Sequence, residues 1–198
     1  MLLVVGLGNP GREYEGNRHN LGFMAADELC RAERWPDFKT KFSGLWTRGQ
    51  LGGQDAVLLK PQTFMNLSGD SVQPAAAFFK IAPKDIVVIH DELDLPWRDI
   101  RLKFGGGHAG NNGIRSMIER LGTPDFARVR VGIGKAPPGF RGQVADWVLS
   151  NLDAVERAEL PGVLDEALGA VRSLAADGLA AAMNRVNTKV AAGKAGKT

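Results

Sequence analysis

Residues 2–7, Leu-Leu-Val-Val-Gly-Leu, form an unbroken apolar run that is closed at once by Gly8-Asn9-Pro10-Gly11. So short and so apolar a run reads as a fully buried strand, and the glycine–proline cluster turns the chain directly after it. Its neighbours have to supply the cover. Residues 20–33 carry Leu21, Met24, Ala25 and Leu29 at helical spacing. Residues 42–50 and 56–59 read as a hairpin about Gly52-Gly53. A helix capped by Asn66 or Ser68 is expected to end near residue 80, with Pro74 kinking it or standing in its first turn. Residues 86–89 are a β-rich run ended by His90-Asp91-Glu92, and strands are expected at 101–104 and 127–133 around a helix at 112–121. Two helices, 153–176 and 179–191, close the chain, the first bent or split at Pro161-Gly162. Strands mixed with helices and one hairpin predict a single α/β domain with a twisted mixed β-sheet flanked by helices. Its 198 residues suit one core. The domain is expected over 1–192, with 193–198 a flexible basic tail.

In a sheet of that kind ligands bind beyond the carboxyl ends of parallel strands. Asn9 follows the first strand and Asp91 follows the 86–89 strand, so the two can meet at one edge. The literal match Gly6-Leu-Gly8-Asn-Pro-Gly11 to a dinucleotide fingerprint fails, because Pro10 to Glu13 delay the helix that a phosphate would need. No nucleotide cofactor is expected.

Net charge is only +3, but it is unevenly spread. Residues 95–142 hold nine basic and three acidic side chains, and 143–177 hold two basic and seven acidic. A localised basic segment suits a polyanion such as nucleic acid. The start of the chain lacks a basic leader, no run approaches a membrane span, and the one cysteine, Cys30, reads as a buried thiol. A cytoplasmic protein without a membrane partner is expected.

Chemistry concentrates in Asn17-Arg18-His19-Asn20. A neutral imidazole takes a proton from water near pH 7, and a carboxylate on its other nitrogen sets tautomer and orientation. Asp91 is the candidate carboxylate. Asn9, Asn66 and Asn112 stand at loop–element junctions, where amides hold polar substrate groups or an oxyanion without adding charge. The same residues serve equally well as caps and turn residues, so residue chemistry leaves both readings open. His90 and His108 lack metal-ligand spacing and no metal is expected. Gly105-Gly106-Gly107 reads as a lid hinge in preference to a phosphate cradle.

Six ordered blocks between residues 4 and 134 resemble the motifs of the bacterial-type peptidyl-tRNA hydrolases. They are Val5-Gly-Leu-Gly-Asn-Pro-Gly11 with Tyr14; Arg18-His-Asn-Leu-Gly22; Lys60-Pro-Gln-Thr-Phe-Met-Asn-Leu-Ser-Gly69; His90-Asp-Glu-Leu-Asp-Leu-Pro96; Gly105-Gly-Gly-His-Ala-Gly110 with Asn112-Gly113; and Arg130-Val-Gly-Ile-Gly134. The resemblance implies a metal-independent, cofactor-free esterase that hydrolyses the bond between a peptide and the 3′ ribose of tRNA. It implies His19 as the base and Asp91 as its orienting partner. Asn9, Asn66 and Asn112 would position the peptide and the 3′-terminal nucleotide, with Tyr14 and Met65 lining the cleft. Lys103 and Arg130 would clamp the tRNA 5′-phosphate beside the acceptor stem, with Arg101 assisting. Asn111 stands where the family commonly carries His, and Pro74 where its helix runs unbroken. A monomer is expected. The rivals are a non-enzymatic RNA-binding protein on the same fold and a general nucleotide-binding module.

Overall fold

In the computed structural model, backbone is described for residues 1–195 and side-chain burial for 1–188. Every residue of β1 (Leu2–Gly6) is buried, because it lies in the middle of a sheet covered on both faces. Among the described residues the other strands are β2 (Lys39–Lys41), β3 (Gly44–Leu51), β4 (Gln54–Pro61), β5 (Ile86–Glu92), β6 (Ile100–Phe104) and β7 (Ala127–Gly132), and the order is β2-β3-β4-β1-β5-β7-β6. β4, β1, β5 and β7 run parallel, while the β2–β3, β3–β4 and β6–β7 pairs are antiparallel. The sheet is mixed, as expected.

Alternate strand residues feed two cores. Val4, Leu58, Ile89 and Val129 pack toward α1 (Leu21–Ala32), α5 (Ala154–Asp177) and α6 (Leu179–Ala195). Leu3, Val5, Leu59 and Val88 pack toward α2 (Gly69–Phe79) and α3 (Asn112–Leu121). Strand order reverses about β1, which pairs with β4 on one side and β5 on the other. A crevice therefore opens beyond the carboxyl ends of β1 and β5.

Several expectations change. β5 runs on through His90, Asp91 and Glu92, so Asp91 is a strand residue and does not follow the strand. The three-residue β2 and the five-residue α4 (Val144–Val148) are additions. Pro161 does not split α5, nor does Pro74 interrupt α2. Both prolines are exposed, so the carbonyl each leaves unmatched one turn earlier faces water, and the buried stripes continue past them. Ser68 holds the N-cap position of α2, but its side chain makes no cap; its Oγ donates to the Met65 carbonyl at 2.8 Å. Helix α6 is described to Ala195, so the expected tail begins in helical backbone, and residues 196–198 lie outside the described residues.

One close approach places the site. A Cβ on Gly22 would stand 2.4 Å from the Leu7 N and O and from the Ile89 carbonyl, and one on Gly6 would stand 2.2 Å from the Gly22 carbonyl. The first turn of α1 thus rests directly on β1 and β5, and Phe23 N donates to the Leu7 carbonyl at 3.1 Å. The clashing atoms are backbone and cannot swing aside. Gly22→Ala is therefore expected to cost at least the ~1–3 kcal/mol of core overpacking. Denaturant unfolding measures this, and a midpoint unchanged from wild type would contradict the contact.

Candidate active site

His19 stands in a single 3-10 turn, Arg18–Asn20, that runs into α1. Its Nδ1 lies 2.8 Å from Asp91 Oδ1, and both side chains are buried (11% and 3% exposed). A carboxylate only accepts, so Nδ1 carries the hydrogen and the Nε2 lone pair is left for the cleft that His19 lines. Burial pulls the His19 pKa down, but the charge of Asp91 and its hydrogen bond together outweigh burial, leaving it above the usual imidazole value. The pair joins residues 72 positions apart. Asp91 reaches it because alternate residues of β5 face opposite ways: Asp91 points to the α1 side, His90 and Glu92 to the other.

The cleft holds about 470 Å³ and is lined by Asn9, Tyr14, His19, Met65, Asn66, Asp91 and Asn112, among others. Those seven sequence-derived residues thus share one space. Asn9 is buried and held on three sides. Its backbone N–H donates to Asn20 Oδ1 and its carbonyl accepts from Asn20 Nδ2, each at 2.9 Å, while its own Oδ1 accepts from Met65 N at 2.7 Å. Its Nδ2 is the atom left over. Asn66 and Asn112 are both exposed, and among the described residues neither side chain has an intramolecular hydrogen bond. Asn111 is the N-cap of α3, accepting from Ile114 N at 3.1 Å, with its Nδ2 at a long 3.5 Å from Asp91 Oδ1. An amide here fastens the helix that carries Asn112 and reaches toward the Asp91 carboxylate without a titrating charge.

Sequence reasoning missed part of this site. Phe64 lines the cleft at 57% exposure, and its place inside the Lys60–Gly69 block was an available signal. Asn20, the clamp on Asn9, lay in the quoted Arg18–Gly22 block. Val144, Ala145, Val148 and Leu149 form an apolar wall that no periodicity over five residues could announce.

Lys103 and Arg130 do not line the cleft. The register pairs Arg101 with Arg130 and Lys103 with Arg128 across β6 and β7, so all four cations project from one face of the sheet edge. Three are engaged. Arg130 Nε donates to Glu92 Oε2 at 2.8 Å, Arg101 Nη1 reaches the Asn187 carbonyl at 3.4 Å, and Arg128 donates to the Gly106 and Gly107 carbonyls at 2.6 and 2.7 Å. That fork ties down the glycine loop, in contrast to the free hinge expected there. Lys103, half-buried with its Nζ over Gly106, has no ion-pair partner among the described residues. Glu92 lines the cleft as well, so the basic face and the cleft meet at one strand end.

The remaining candidates are structural. His90 is fully enclosed, its Nδ1 donating to the Asp91 carbonyl at 2.7 Å, and burial holds its pKa down. His108 is exposed, accepting from Gly110 N at 3.1 Å. Among the described residues no three His, Cys, Asp or Glu side chains gather as a metal-ligand set. Cys30 is half-buried, less enclosed than expected, and burial with the nearby Asp27 and Asp37 charges pushes its pKa up, against a nucleophilic role. Among the described residues no helix is long and apolar enough to cross a membrane.

The chain is similar to known proteins over almost its whole length. It is 59% identical to a peptidyl-tRNA hydrolase of Sorangium cellulosum over 194 residues, covering 98% of this chain and 87% of that one. It is 51% identical to one of Mycobacterium marinum over 188 residues, covering 94% and 97%. A crystal structure of peptidyl-tRNA hydrolase from Acinetobacter baumannii superposes with a TM-score of 0.86 at 42% identity, covering 94% of each chain. The Peptidyl-tRNA hydrolase family model matches residues 3–194, and the chain belongs to that family.

Proposed function

We propose that the chain hydrolyses the ester between peptide and 3′ ribose in peptidyl-tRNA, releasing free tRNA and peptide, with His19 as general base. Membership of the family supports the reaction. The observation that carries the residue roles is the His19 Nδ1–Asp91 hydrogen bond, with Nε2 turned to a cleft lined by uncommitted amides. In this reading Nε2 takes a proton from water, and the water oxygen adds to the ester carbonyl. The tetrahedral oxyanion accepts hydrogen bonds from the Asn66 and Asn112 amides. Collapse breaks the bond to the ribose 3′ oxygen, which receives the proton from Nε2. Asp91 holds the imidazole and balances its transient positive charge. Asn9 Nδ2, Tyr14 and Met65 position the peptide and terminal nucleotide. The ribose oxygen is a far better leaving group than an amide nitrogen, so one base suffices.

The test is release of an acetyl-aminoacyl group from N-acetyl-aminoacyl-tRNA in the presence of chelator. Turnover is expected. Binding of tRNA without turnover would instead favour the RNA-binding reading. A substrate made by translation suits the cytoplasm.

The tRNA 5′-phosphate is assigned to Lys103 and Arg130. Glu92 already neutralises Arg130, so a phosphate has to compete for it, whereas Lys103 is uncommitted. Each substitution to alanine should raise KM for full-length tRNA with little change in kcat. Lys103→Ala should flatten the salt dependence of kcat/KM by about one counterion, and Arg130→Ala by less. Equal salt slopes in wild type and both variants would remove the clamp assignment.

A further inference from the structure

Arg18, beside His19, is a charged residue only 3% exposed, and the mechanism above gives it no task. Its Nη1 donates to Ser150 Oγ at 2.8 Å and to the Asn151 carbonyl, and its Nη2 donates to the Glu156 carboxylate. The guanidinium carbon lies 3.8 Å from the centre of the Trp147 ring. Backbone contacts double the joint. Arg18 N donates to the Ser150 carbonyl at 3.1 Å, Leu152 N donates to the Gly16 carbonyl at 3.0 Å, and Asn17 bridges to Asn151.

The partners are themselves fastened. Glu156 also accepts from Asp153 N at 2.8 Å, closing the capping box of α5. Trp147 Nε1 donates to the Gly134 carbonyl at 2.9 Å, and its ring meets Phe140 edge-on at 5.5 Å. Arg18 thus binds the end of α4 and the start of α5 to the segment that carries His19. Helix α4 has five residues and cannot hold itself in water. Its other side presents Val144, Ala145, Val148 and Leu149 to the cleft, with Val144 63% and Leu149 40% exposed. That wall has no donor, acceptor or charge among its side chains, which suits hydrocarbon and not a nucleotide. The cations assigned to tRNA lie outside the cleft.

We propose that Arg18 is a positioning residue: it fixes α4 so that Val144, Val148 and Leu149 form the pocket for an apolar side chain on the amino acid esterified to tRNA. The proposal rests on the cleft being the peptidyl-ester site. Arg18→Lys keeps a charge for Glu156 but loses the fork and the flat face over Trp147. For N-acetyl-leucyl-tRNA its KM should rise roughly tenfold, equivalent to about 1.4 kcal/mol, whereas KM for N-acetyl-glycyl-tRNA should move less than about twofold. kcat should fall by less than KM rises, because Asp91 still holds His19. Amide exchange should quicken across residues 144–150 and not in β1 or β5. Should Arg18→Lys fail to fold, Trp147→Leu and Ser150→Ala each remove one Arg18 contact and should show the same leucyl–glycyl split on a smaller scale. Equal KM changes on the two esters, or a fall in kcat alone, would overturn the proposal. A wild type inactive on both esters would instead overturn the reading of the cleft.

Discussion

His19→Ala is expected to lower kcat on N-acetyl-aminoacyl-tRNA by about 10²–10⁴, the usual contribution of a positioned general base, while the chain still folds and binds tRNA. The fold survives because His19 borders the cleft, so water can enter the space it leaves. Asp91 is then deprived of its nearest donor, but Asn111 Nδ2 stands 3.5 Å away and can close on it. Binding survives because the cations assigned to the tRNA lie on the β6–β7 edge, away from the cleft. Single-turnover rates and a tRNA binding isotherm separate the two. If turnover and binding fell together by the same factor, His19 would be a structural or binding residue and the mechanism would need another base.

Asp91→Asn should be nearly as damaging, with a signature of its own. An asparagine can offer Nδ2–H to the imidazole, leaving Nδ1 as acceptor and placing the hydrogen on Nε2, where a lone pair is needed. The same loss of tautomer control in the serine-protease triad costs on the order of 10⁴. The pH profile should move too. Burial lowers the His19 pKa, and Asp91 more than reverses this through charge and hydrogen bond. Without that carboxylate the effect of burial is unopposed. In the wild type, kcat/KM should rise as pH climbs through a His19 pKa above the usual imidazole value; in Asp91→Asn the residual activity should rise at lower pH. Stability follows from the raised folded-state pKa. The His19–Asp91 contribution is fully present below the unfolded imidazole pKa and is lost as pH rises through the folded one. The wild-type advantage in Tm should therefore shrink over that window. An acid limb at the same pH in both proteins would show that Asp91 does not tune the base.

Much of the fold was legible because local chemistry and global structure agree. The apolar run at residues 2–7 became the central strand, Asn112 to Leu121 became α3 as read, and Gly8 to Gly11 turned the chain where the crevice opens. The misreadings share a cause. Pro74 and Pro161 looked like helix breakers, but their effect depends on which side of the helix faces water, which is a tertiary property. His90-Asp91-Glu92 looked polar enough to end a strand. Yet all three are buried, and two of them have a partner from elsewhere: Asp91 with His19, and Glu92 with Arg130.

The site divides the same way. By itself the sequence supplied the candidates for the chemistry: one imidazole poised to titrate, a carboxylate at a strand end, three amides at junctions and a basic segment in mid-chain. Their types and local positions follow from near-neighbour chemistry. Tertiary structure alone decided who meets whom. It brought His19 to Asp91 through the glycine contact of α1 with β1 and β5, kept Lys103 and Arg130 out of the cleft, committed Arg130 to Glu92, and hung an apolar wall on Arg18. Each is a contact between segments far apart in the chain, set by packing and strand register, and no local pattern encodes such a contact.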